Sequence, residues 1–124
     1  MAEKENIKKY DLEDRTFHFA ANIRAFVKKL TKTISNIEDG KQLVRASGSV
    51  AANYIEANES LSDRDFLYRV KICRKEAKES RLFLRLIDIS DKAELEKERD
   101  RLINEATELM KIFGSMIVKI EKKN

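Results

Sequence analysis

The chain has 124 residues, of which 39% are charged and 42% hydrophobic, with no Pro, three Gly and a formal net charge of +4. That is room for one domain with one core, and the composition favours long amphipathic helices over strands and tight turns. A single cysteine, Cys73, excludes an internal disulfide and fits a reducing, cytoplasmic setting; the first residues hold no apolar run like a secretion signal, and no window approaches the ~20 apolar residues of a membrane span.

Residues 1–11 are polar, carry Lys4, Lys8 and Lys9, and read as a flexible basic arm ahead of one domain at 12–124. The first predicted helix runs from about Glu13 to Thr33, with Ala20, Ile23, Val27, Leu30 and Ile34 on its apolar stripe and Phe19 and Phe26 beside it. A break is expected over Ser35 to Gly40, where Asn36, Asp39 and Gly40 supply turn chemistry. The second helix is expected from Lys41 to Asn58, its stripe made by Leu43, Ser47, Val50, Tyr54, Ala57 and then Leu61.

Ser62 followed by Asp65 has the form of an acidic capping box, and Asp63 and Asp65 suit the positive end of a helix dipole, so the third helix starts at Asp63 and extends to about Ile89. Its stripe, Phe66, Val70, Cys73, Ala77, Ser80, Leu84 and Ile87, alternates steps of four and three, the spacing of one face held against neighbouring helices. Ser90 or Asp91 is a second cap signal. A fourth helix then spans Ala93 to about Lys122, with Leu95, Leu102, Ala106, Leu109, Phe113, Met116 and Ile120 inside and Lys119, Lys122 and Lys123 near its negative end. Long helices joined by short loops lie antiparallel to their neighbours in sequence, so the predicted fold is all-α, an up-down-up-down four-helix bundle.

The run QLVRASGSVAANYIEAN followed by DRDFLYRVKICRKEAKESRLFLRLI resembles the four-helix-bundle family whose founding members are encoded by intervening sequences in 23S ribosomal RNA genes. Gln42, Leu43, Arg45, Ser49, Val50, Ala52, Asn53, Glu56 and Ala57 match the pattern of the family's second helix. Asp65, Phe66, Ile72, Lys75, Glu76, Ala77, Glu79, Ser80 and Leu84 match its third, with Phe83 in place of the usual Trp and Cys73 in place of the usual Ala. The likeness covers about Thr16 to Ile89 closely and the fourth helix by pattern alone. It implies an antiparallel bundle assembled into a homopentamer, with no established enzymatic activity. The chain is also similar to a related branch, the accessory proteins of diversity-generating retroelements, which implies RNA or DNA and a reverse transcriptase as partners.

On a helical wheel Arg64, Lys71, Arg74, Lys78, Arg81 and Arg85 fall within one arc of about 100° on the third helix, beside the core stripe. Such an arc is either a solvated face neutralised by acids of neighbouring helices or a stripe that tracks phosphates. Aromatic interleaving is thin, Tyr68 alone lying nearby. The third helix has a second apolar sector in Tyr68, Ile72, Phe83 and Leu86. The second helix carries Arg45, Ser49, Ala52 and Glu56 opposite its core, with small Gly48 adjacent. Each is a crowded internal crossing or a subunit contact, and the family resemblance favours the contact.

Catalytic chemistry finds little support. Asn53, Glu56, Glu76 and Glu79 are polar helix residues near Arg45 or Lys75, a setting for structural ion pairs. A carboxylate-bridged metal pair needs Glu-x-x-His on two helices, yet the chain has one histidine, His18, preceded three residues earlier by Arg15. Cys73 lies on an apolar stripe and reads as an inert thiol. No catalytic residue, metal site or cofactor is expected. The function expected is therefore a non-enzymatic oligomeric accessory that binds nucleic acid, with a scaffold or protein-interaction module as the alternative.

Overall fold

In the computed structural model, which describes residues 2–123 and their side chains from residue 12 onward, four helices follow one another: α1 (Ala2–Lys28), α2 (Ile34–Asn58), α3 (Asp63–Leu86) and α4 (Ala93–Lys123). No strand occurs among the described residues. The expected basic arm with Lys4, Lys8 and Lys9 lies outside the residues whose side chains are described.

The first break is displaced from its expected place. It lies between Lys28 and Ile34, so the residues from Ser35 to Gly40 are helical. Thr33 caps α2 from an extended conformation, its hydroxyl accepting from the Asn36 amide at 3.1 Å. Asn36 is buried instead of turning the chain: its side-chain amide donates to the carbonyls of Thr31 and Asp88, and its carbonyl accepts from the Asp88 amide. Gly40 serves a helix crossing, since a Cβ there would meet Val27 Cγ1 at 3.3 Å.

α3 begins where the cap signal places it, with the Ser62 hydroxyl accepting from the Asp65 amide at 3.1 Å. It stops at Leu86, short of the expected Ile89, because Ile87 turns to φ −57°, ψ 135°. Ser90 and Asp91, expected as caps of the last helix, instead form a turn with left-handed φ of 54° and 58°. That turn reverses the chain into α4.

Pairs between adjacent helices occur in opposite sequence order. Arg45 meets Glu76 while Asn53 meets Arg69; Asp63 meets Lys123 while Arg81 meets Thr107; Arg15 meets Glu105 while Lys29 meets Glu98. Each of these neighbours therefore runs against the other. The core between them holds Phe19, Ile23 and Phe26 of α1, Leu43 and Val50 of α2, Val70, Cys73 and Leu84 of α3, and Leu109 and Phe113 of α4, all fully buried. Tyr54 and Phe113 pack ring to ring with centroids 6.1 Å apart.

The α3 stripe is buried from Val70 to Ile87, with Phe66 half-buried at its start. Two residues assigned to stripes are exposed, Ile34 at 86% and Leu61 at 99%, and Val27 and Ile120 are half-buried. The two exposed residues sit at helix ends, where the rhythm continues in sequence but no facing helix remains. In α4 the last buried apolar residue is Ile117, which the expected stripe omitted, whereas Met116 is half-buried.

Candidate nucleic-acid interface

The six cations of the α3 arc are held on one face by a continuous helix, and at 1.5 Å rise per residue the span from Arg64 to Arg85 is about 30 Å. All are exposed except half-buried Arg81. Lys71 pairs with Glu121 of α4 at 3.5 Å, and Arg81 donates to the Thr107 hydroxyl at 3.4 Å. Arg64, Arg74, Lys78 and Arg85 have no ion-pair partner among the described residues. The compensating acids that a merely solvated face would recruit are thus mostly missing.

Two open grooves flank this arc, and Arg74 and Arg81 line both. The first, about 850 Å³, adds Lys71, Lys75, Lys78 and Arg85 over the apolar floor of Leu82 and Ile117, with Glu79 and Glu121 as its carboxylates. The second, about 920 Å³, runs between α3 and α4 past Thr107, Met110, Lys111, Gly114, Ser115, Val118 and Lys119, with no carboxylate in its lining. These α4 residues were missed by reading cations one helix at a time. Their shared wheel position with Lys111, four residues before Ser115 and seven before Val118, is the signal that could have found them.

Arg45, Ser49, Ala52 and Glu56 do share the outer side of α2, but Arg45 is committed to α3. Its guanidinium contacts Glu76 at 3.1 Å and Glu79 at 3.7 Å. Ser49 accepts from the Asn53 side chain, whose carbonyl in turn accepts from Arg69. Glu76 is buried, and its Oε1 has no hydrogen-bond donor in place. Burial raises its carboxyl, but the neighbouring Glu79, Arg45 and Ser49 side chains, which favour its charged form as hydrogen-bonding groups, and the Arg45 charge outweigh that and hold it below the ordinary value. Glu79 is raised, first by its hydrogen bond to Glu76, then by burial and by the Glu76 charge. Together they hold one proton more readily than two independent carboxylates do.

The second apolar sector of α3 divides. Phe83 packs against the core and Ile72 is half-buried, while Tyr68 is open to solvent near the start of α3 and Leu86 near its end, one turn from exposed Leu82. Arg69 stacks over the Tyr68 ring at 5.6 Å.

The family profile described as 23S rRNA-intervening sequence protein matches residues 8–115. The chain belongs to that family. A similar solved structure is that of a protein of unknown function from the S23 ribosomal protein family of Bacteroides thetaiotaomicron, 27% identical, with a TM-score of 0.71 over 86% of this chain and 97% of that one. No curated protein sequence matches.

In this member of the 23S rRNA-intervening sequence family, Cys73 and His18 sit in opposite settings. Cys73 is fully buried with its Sγ 3.6 Å from the Val50 carbonyl, and burial pushes the thiol up to about 12. His18 is exposed, its Nδ1 2.8 Å from the Asp14 carbonyl oxygen. Among the described residues no group of three or more His, Cys, Asp or Glu is placed to hold a metal ion, and no helix is long and apolar enough to cross a membrane.

Proposed function

We propose that this chain is a non-enzymatic, cytoplasmic nucleic-acid-binding accessory protein that works as a homo-oligomer and contacts phosphates through α3. The observation that carries the reading is the row of Arg64, Arg74, Lys78 and Arg85, exposed along one face without ion-pair partners among the described residues. Four uncompensated cations on one helix repel each other, and a polyanion relieves that repulsion while releasing its own counterions. RNA is the polyanion we propose as partner; the family description names the place of the founding genes and no ligand.

Self-association draws its support from exposed Leu82 and Leu86, one turn apart, with Tyr68 further along the same side of α3, which faces away from the core. The pentamer implied by the family resemblance would multiply the basic row around a ring. The same patch supports the scaffold reading if nucleic acid is not bound.

The test is the salt dependence of RNA affinity for the parent and for a variant with Arg74, Lys78 and Arg81 changed together to Glu. The parent is expected to bind with a steep slope of log affinity against log salt. The variant should lose binding while keeping its helicity and oligomer size, because each lost phosphate contact removes about 0.7 to 0.9 from that slope. Absence of binding by the parent leaves the scaffold reading in place.

A further inference from the structure

Of the three glycines, two are explained by what they touch. A Cβ on Gly40 would meet Val27 at 3.3 Å, and one on Gly48 would meet the Arg24 guanidinium at 3.0 Å. Gly114 has nothing within 4 Å, although it lies well inside the 31-residue helix α4, where glycine weakens a helix relative to alanine. No packing within the subunit calls for the missing side chain. Bare backbone on a helix surface admits something from outside to close range, and the surroundings state its charge. Gly114 forms part of the second groove, whose cations are Arg74 and Arg81 on one side and Lys111 and Lys119 on the other, with no carboxylate in the lining. Lys111 also pairs weakly with Glu108 at 3.8 Å. Exposed Ser115 has no hydrogen-bond partner among the described residues, which leaves its hydroxyl able to donate to an anionic oxygen.

We propose that the α3–α4 groove is the seat of a single nucleic-acid strand, its phosphodiester backbone passing over Gly114 between the Arg74–Arg81 pair and Lys111 with Lys119. This rests on the nucleic-acid reading above and adds the strand, its path and the α4 residues. The strand is single because a flexible backbone can follow the open groove down to Gly114, whereas a stiff duplex cannot bend into it. Duplex would touch only the rims of the groove. Half-buried Met110 and exposed Val118 flank the glycine and give the bases apolar contact, while the phosphates take the cations and the Ser115 hydroxyl. A second copy of this basic chain meets a groove of its own charge sign and is the less favoured occupant.

Fluorescence anisotropy of a labelled oligouridylate, alone and as its duplex with oligoadenylate, tests this on the full chain and on three variants. Gly114→Ala is expected to melt a few degrees higher than the parent, since alanine is the better helix former and meets no clash. Gly114→Leu should fill the groove and weaken single-strand binding at least about fivefold without a change in helicity. The double variant Lys111→Glu with Lys119→Glu, confined to exposed side chains, should lower the salt slope by about 1.4, the value of two contacts to a single strand. A parent that binds neither probe overturns the functional reading itself. A parent that binds while Gly114→Leu and the double variant bind equally well overturns the groove but not the function. Equal affinity for duplex overturns the single-strand path, and a Gly114→Leu change in oligomer mass with unchanged strand affinity assigns the groove to a second copy.

Discussion

Asn36 and Asp88 clamp each other across 52 residues of sequence: the Asn36 side chain donates to the Asp88 carbonyl at 2.8 Å and accepts from the Asp88 amide at 3.0 Å. The same Asn36 amide also donates to the Thr31 carbonyl at 3.0 Å, so one buried side chain ties the start of α2 to both the loop before it and the loop that follows α3. A buried amide satisfied on every side is costly to remove, because its partners then lose their hydrogen bonds together.

Asn36→Ala is therefore expected to destabilise the bundle by about 2–3 kcal/mol, measured by urea denaturation with unchanged slope. Asn36→Asp keeps the acceptor for the Asp88 amide but turns a carboxylate oxygen toward two carbonyls, and should fall at least as far. Loss below about 0.5 kcal/mol in both would show that the clamp contributes little.

This clamp also explains which parts of the fold were legible. The α3 stripe could be read because every step from Val70 to Leu84 faces packed neighbours, so burial repeats with the helix itself. The Asn36, Asp39 and Gly40 cluster misled because those residue types serve turns and close crossings alike. Only the partner decides, and Asp88 and Val27 are too far along the chain to be seen from a local window. Ile34 and Leu61 extend apolar rhythms past the ends of the helices that would have covered them. The basic arc of α3 was readable for the same reason as the stripe, but the groove it shares with α4 depends on how two helices are placed side by side.

Cys73 provides a probe of core opening. Its thiol is fully buried beside the Val50 carbonyl and pushed up to about 12, so almost none is thiolate at neutral pH. Alkylation of the native protein by iodoacetamide at pH 8 should be slower than that of a free cysteine peptide by a factor comparable with the unfolding equilibrium, and should become rapid in denaturant. Prompt labelling of the folded protein would contradict the placement of α3 in the core.

Leu84 tests the same stripe by packing. It is fully buried in α3, and Leu84→Ala removes contacts from several helices at once, with an expected loss of about 2–5 kcal/mol in urea denaturation. Leu86→Ala, two residues on and mostly exposed, should change stability by no more than about 0.5 kcal/mol. If the scaffold patch assembles subunits, the Leu86 variant will instead show itself in light scattering, as a mass below that of the parent.

Glu76 and Glu79 make stability depend on pH. Glu79 has a raised folded-state value, so the stability it contributes is fully present below the ordinary carboxylate value and is lost as pH rises through the raised one. Glu76 has the opposite sign: its contribution is present above the ordinary value and is lost as pH falls through its lowered one. The pair is thus best satisfied with one proton, between those limits, where a protonated Glu79 can donate to the otherwise partnerless Glu76 Oε1 while Arg45 holds Oε2 at 3.1 Å. Above that window two carboxylates share one guanidinium and a buried oxygen loses its donor; Lys75 is the other cation nearby. Glu79→Gln supplies an amide donor at every pH and removes the repulsion. Its stability should match the parent below the raised Glu79 value, exceed it as pH rises through that value, and keep a constant lead above it, whereas Glu79→Ala should lack that gain for want of a donor. Melting both variants and the parent across this range decides it: parallel profiles for the parent and Glu79→Gln would mean that the two carboxylates titrate independently and that Arg45 alone satisfies Glu76.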